Sequence, residues 1–141
     1  MRFWDSSALV PLLVDEPMTR IAMDLYRGDS EIIAWWATPV ECASALGRLE
    51  RGGRLGLPAV TLSLNRLNEL LQAWHEVLPS ERIRETAQRL LRMHELRAAD
   101  ALQLAAALHA CDNRPAVLDF VCLDARLGTA ARREGFAVID A

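Results

Sequence analysis

Short apolar runs alternate with longer amphipathic stretches along nearly the whole chain. Residues 2–5 read as a first strand that ends on Asp5, and Ser6 and Ser7 are placed to cap the helix behind it. That helix turns Ala8, Leu9, Leu12 and Leu13 to one side. Pro17, just after Asp15 and Glu16, suits the first turn of a second helix over 17–28, closed by Gly28 and Asp29. Residues 31–37 are almost continuously apolar, as a buried parallel strand is.

Thr38 and Glu41 then fit an S/T-x-x-E capping box, with Pro39 at the first helical position. Val40, Ala43, Leu46 and Leu49 or Glu50 trace that helix's expected inner stripe, and Gly52-Gly53 ends it. A long helix follows from Pro58 to Leu71 or Trp74, with Leu62, Leu67, Leu70 and Leu71 inward. Residues 74–78 read as a third strand, and Ser80 opens a helix carrying Ile83, Ala87, Leu90 and Leu91 to about His94. From Ala98 the pattern is apolar nearly all round, which predicts a helix buried at the centre of the domain. Asn113, Arg114 and Pro115 form a loop. Residues 117–123 read as a central strand, 124–133 as a helix and 136–139 as a closing strand. This alternation predicts a three-layer α/β/α domain around a central, mainly parallel sheet of four to five strands. No repeat or linker interrupts it, so residues 1–141 are expected to form a single domain.

Composition narrows the function classes. No run approaches the roughly 18 apolar residues of a membrane span, because Gln103 and His109 interrupt the best candidate. The start of the chain lacks a basic region and cleavage site, so a soluble cytoplasmic protein is expected. Cys42, Cys111 and Cys122 make no C-x-x-C pair, and His75, His94 and His109 have no zinc spacing with them. Those cysteines read as small buried residues. All basic residues are arginine, which excludes a P-loop and any lysine-based catalyst. An arginine-only chain suits phosphate recognition, but a GC-rich genome is the simpler explanation of it. A net charge of −3 leaves no broad basic face, so any nucleic-acid contact must be local.

Four acids carry the candidate chemistry: Asp5, Glu41, Asp100 and Asp124. Each follows a strand-like run or opens a helix, and in a parallel α/β sheet those positions share one rim where ligands bind. Taken singly, each has a simpler reading as a helix cap or a partner of the helix dipole. Together they are harder to dismiss. Two carboxylates about 4 Å apart repel by roughly 4 kcal/mol at an effective dielectric of about 20, so such a cluster requires a counter-ion. All-oxygen ligands select a hard cation, Mg²⁺ or Mn²⁺, which can activate water and offset charge at phosphorus.

The segments FWDSSALVPLL, ATPVECASALGR, LRAADALQLAAAL and DFVCLDARLGTAARREGF, in that order, resemble the PIN-domain ribonucleases, and most closely the VapC toxins of toxin–antitoxin pairs. The resemblance spans nearly the whole chain and implies a PIN-like fold. It assigns Asp5, Glu41, Asp100 and Asp124 to an acidic Mg²⁺ site, with Asp5 and Asp100 as the main ligands. Glu41 and Asp124 would complete the cage or orient the attacking water, and Ser6 would support a ligand or water. The family often has Thr or Ser where this chain has Cys122, and a thiol is the weaker donor. The resemblance further implies endonucleolytic cleavage of structured RNA, a homodimer and a cognate antitoxin. It implies no membrane association.

Arg48, Arg51 and Arg54 recur along the helix that carries Glu41; they either guide RNA phosphates or form a solvated face. Trp35 and Trp36 read as core rather than as base-stacking platforms. Asp112 and Asp119 read as surface or loop acids. A haloacid-dehalogenase-type site needs an Asp where Ser7 stands, and a receiver-type domain needs a lysine; both are set aside. The remaining alternatives are a non-catalytic PIN-like binding module and a free-standing RNA-processing nuclease.

Overall fold

The computed structural model describes residues 1–140. Its sheet contains β1 (Arg2–Trp4), β2 (Ile32–Trp35), β3 (His75–Val77), β4 (Asp119–Val121) and β5 (Val138–Ile139), all parallel, in the order β3-β2-β1-β4-β5. The helices among the described residues are α1 (Ser6–Leu13), α2 (Thr19–Gly28), α3 (Thr38–Arg51), α4 (Leu57–Ala73), α5 (Glu81–Met93), α6 (Ala98–Ala110) and α7 (Ala125–Arg133).

The strand order explains why helices cover both faces. From β1 the chain steps outward to β2 and β3, then returns across the sheet to β4 and steps the other way to β5. Parallel crossovers are right-handed, so reversing the direction of travel moves the helices to the opposite face. Side chains record this by strict alternation. Phe3, Ile33, Trp35, Phe120 and Cys122 pack with α5, α6 and α7. Trp4, Ile32, Ala34 and Val121 pack with α1, α2, α3 and α4. Phe3 stacks on Phe120 at a centroid distance of 5.3 Å, and Phe120 meets Phe136 at 5.4 Å. Helix α6 is as buried as its all-round apolar pattern predicts, with residues 103–108 enclosed.

Several local expectations are corrected. The first helix is capped by Asp5, whose side chain accepts from the Ser7 N–H at 3.1 Å, and not by Ser6 or Ser7. The second helix starts at Thr19, because the Thr19 hydroxyl bonds the Val14 carbonyl and the Glu16 N–H and so closes a turn around Pro17. The Thr38–Glu41 capping box does not form: Thr38 is already helical and fully buried, and Ala37 holds the cap position with no side-chain bond. The buried stripe of α3 therefore runs through Thr38, Cys42 and Leu46, which leaves Val40 and Ala43 exposed. Leu62 of α4 and Leu91 of α5 likewise face solvent. Trp35 is core, but Trp36 lies past the end of β2 and is half exposed. A 3-10 turn over Pro115–Val117 delays the strand expected over 117–123, which is shortened to β4 (Asp119–Val121). No helix among the described residues is long and apolar enough to cross a membrane.

Candidate active site at the carboxyl edge of the sheet

The chain's direction reverses between β1 and β4, and in open α/β sheets the crevice beyond the strands' carboxyl ends at such a point takes ligands. Asp5 follows β1 directly, and its N–H donates to Val121 at the end of β4. Asp124 caps α7 through a 2.9 Å bond from the Leu127 N–H. Glu41 sits in the first turn of α3 and Asp100 in the first turn of α6. All four line one open cavity of about 570 Å³. Asp5 and Asp124 therefore cap helices and also line the cavity, and a carboxylate fixed by helix-start N–H groups still presents its remaining lone pairs.

Hydroxyls hold the cluster from below. The Ser7 hydroxyl donates to Asp5 and accepts from the Leu123 N–H at 2.9 Å. The Ser6 hydroxyl donates to Glu41 Oε1 at 3.0 Å and stands 3.4 Å from Asp5 Oδ1. Cys122 Sγ lies 3.6 Å from Asp5 Oδ2 and 3.3 Å from the Asp124 carbonyl. Ser7 thus supplies a strong donor to Asp5 alongside the weak thiol. Burial pushes the Cys122 thiol well above its ordinary pKa, with the nearby Asp5 charge acting in the same direction. All three cysteines are buried and free.

The electrostatics are those of uncompensated negative charge. Asp5 is 2% exposed and has no cationic partner among the described residues. Burial raises its pKa to about 6 against the pull of the Ser7 bonds, and Asp100 adds to the rise. Burial, with the Asp5 charge next, raises Glu41 to about 7. Burial and Asp124 raise Asp100, opposed by Arg97 and Arg126. No group of three or more His, Cys, Asp or Glu side chains among the described residues is placed to hold a metal ion together. The carboxylates line a cleft instead. A hydrated Mg²⁺ or Mn²⁺ fits that arrangement, because such an ion keeps several waters and takes one or two carboxylates.

Three arginines, Arg48, Arg97 and Arg126, share the cavity wall with the acids. Of the Arg48/Arg51/Arg54 stripe, only Arg48 reaches it; Arg54 lines a neighbouring groove. Arg97 and Arg126 were not singled out by the sequence pattern, although they stand three residues before Asp100 and two after Asp124. Gln103 was also missed: inside an apolar helix it read as an interruption, yet its amide reaches Glu41. Asp112 and Asp119 lie outside the cavity.

The PIN domain family model matches residues 2–114, which takes in Asp5, Glu41 and Asp100 and stops short of Asp124. No curated protein sequence matches the chain. Among solved structures, Mycobacterium tuberculosis VapC20, described as a sarcin-ricin loop cleaving toxin, superposes with a TM-score of 0.72 at 16% identity, covering 100% of this chain and 98% of the other. A toxin–antitoxin complex from Klebsiella pneumoniae gives 0.66 at 16% identity, covering 99% and 96%. FitAcB from Neisseria gonorrhoeae gives 0.67 at 16% identity, again covering 99% and 96%.

Proposed function

The chain belongs to the PIN-domain family, and from that premise we propose that it is a divalent-metal-dependent endoribonuclease, the toxin of a type II toxin–antitoxin pair. The observation that carries the proposal is the convergence of Asp5, Glu41, Asp100 and Asp124 on one cavity at the sheet's carboxyl edge. Support for RNA as the substrate comes from the similarity to VapC20, whose description names an RNA loop. Support for an antitoxin partner comes from the toxin–antitoxin complex. In this reading residues 1–141 are a single PIN-like domain that works in the cytoplasm as a homodimer.

Each residue has a distinct task. Asp5 and Asp100 would hold Mg²⁺ or Mn²⁺; Glu41 and Asp124 would complete the cage or orient the attacking water. The bound ion would supply Lewis acidity at phosphorus and offset the negative charge that grows in the transition state. Glu41 accepts hydrogen bonds at both oxygens, so its carboxylate is held in one orientation towards the cavity. Arg48, Arg97 and Arg126 bind non-bridging phosphate oxygens and draw the backbone across the acids. In the reaction a water oxygen bonds to phosphorus, one ester P–O bond breaks, and a carboxylate accepts the water's proton.

The test is cleavage of structured RNA by the purified protein in Mg²⁺ or Mn²⁺. Asp5→Ala and Asp100→Ala should abolish cleavage while circular dichroism reports an intact fold. Cleavage that persists in excess EDTA overturns the proposal. RNA binding without turnover would point instead to a non-catalytic module.

A further inference from the structure

Helices α3 and α6 bring Glu41 and Asp100 to the cavity wall, and one turn along each helix a buried polar side chain, Thr38 on α3 and Gln103 on α6, joins the two by hydrogen bonds. Gln103 is fully buried. Its Nε2 donates to Thr38 Oγ1 at 3.0 Å and to Glu41 Oε2 at 3.1 Å, while its Oε1 has no partner among the described residues. The other oxygen of Glu41 accepts from Ser6.

That arrangement is a poor way to stabilise a helix interior. A buried amide oxygen left unpaired costs on the order of 1–3 kcal/mol, and an apolar side chain of similar size would avoid the penalty. The amide cannot be turned round to relieve it, because its oxygen would then face the Glu41 carboxylate. Every neighbour of Gln103 within α6 from Leu104 to Leu108 is apolar and buried. The one polar residue in this stretch aims its donors at the start of α3.

We propose that Gln103 is a positioning residue: its amide, with Ser6 on the opposite side, clamps the Glu41 carboxylate in its working orientation and fixes the spacing of Glu41 from Asp100. The clamp is bidentate across the carboxylate, one donor to each oxygen, so Glu41 cannot rotate towards its own helix. Thr38 holds the second Nε2 hydrogen in place and keeps the amide aimed. This inference rests on the ribonuclease reading for its kinetic consequence and on the geometry alone for its structural one.

The experiment compares Gln103→Leu, Thr38→Val, Glu41→Ala and the Gln103→Leu/Glu41→Ala double variant, all in the full chain. In Gln103→Leu, kcat on RNA should fall by roughly tenfold to a hundredfold, the loss of one hydrogen bond to a charged group. KM should hold within about twofold and Tm should stay level or rise. Thr38→Val should lose less kcat than Gln103→Leu. Adding Gln103→Leu to Glu41→Ala should cost nothing further, since the amide acts through the carboxylate. Additive losses, or a rate that falls only as Tm falls, overturn the proposal. A crystal structure of Gln103→Leu supplies a readout free of activity: the Glu41 carboxylate should leave its Ser6 partner. If wild type cleaves no RNA, the nuclease reading fails, and this structure still decides the clamp. A Glu41 side chain unmoved in Gln103→Leu overturns it.

Discussion

Ser6 of α1 donates its hydroxyl proton to Glu41 Oε1 of α3 across 3.0 Å, joining two helices whose residues lie 35 positions apart. The bond converts a small polar residue after the first Asp into half of a carboxylate clamp. Ser6→Ala removes that half without opening a large cavity. RNA cleavage should fall by roughly tenfold, as for a lost hydrogen bond to a charged group, with Tm shifted by only a few degrees. Steady-state kinetics beside thermal unfolding checks this. Wild-type kcat in Ser6→Ala would show that Ser6 does not hold Glu41 for catalysis.

Metal-free protein should become less stable as pH rises. Asp5 and Glu41 have folded-state pKa values of about 6 and about 7, above their ordinary values of 3.8 and 4.5. The folded state therefore binds their protons more tightly than the unfolded chain does. Their contribution to stability is fully present below about pH 4 and is lost as pH climbs through about 7. Mg²⁺ should raise Tm more at pH 8 than at pH 5, because protons compete with the cation for these oxygens. Thermal unfolding across pH in EDTA, then in Mg²⁺, measures both effects.

Arg97 and Arg126 lie near enough to Asp100 to oppose the rise in its pKa, and Arg48 lines the same cavity. Arg97→Ala and Arg126→Ala should each raise KM for RNA and flatten the salt dependence of log KM by roughly 0.7 per arginine for single-stranded substrate. Arg51→Ala should change neither. A filter-binding series across salt concentrations separates the outcomes.

Much of this layout was legible in the sequence because local signals suffice for it. Apolar runs such as residues 32–35 and 119–121 mark buried parallel strands wherever their partners lie. Asp5, Glu41 and Asp124 were legible because each sits where a strand gives way to a helix, and parallel topology gathers such junctions on one rim; Asp100, after α5, was legible from opening an all-round apolar helix. What could not be read were contacts made across the fold. Thr38 and Glu41 have the spacing of a capping box, but their partner is Gln103, more than 60 residues away, and no local pattern announces that. Trp36 continues an apolar run yet lies beyond the sheet's edge, where only topology decides its burial. Arg97 and Arg126 became visible once Asp100 and Asp124 shared a wall.

If these carboxylates form a cation site, crystals soaked in Mn²⁺ should reveal it. An anomalous peak should stand in the cavity within about 2.1 Å of oxygens from Asp5 and Asp100, and be absent from Asp5→Asn crystals soaked identically. A protein that cleaves RNA while its Mn²⁺-soaked crystals show no ion at Asp5 and Asp100 would contradict it.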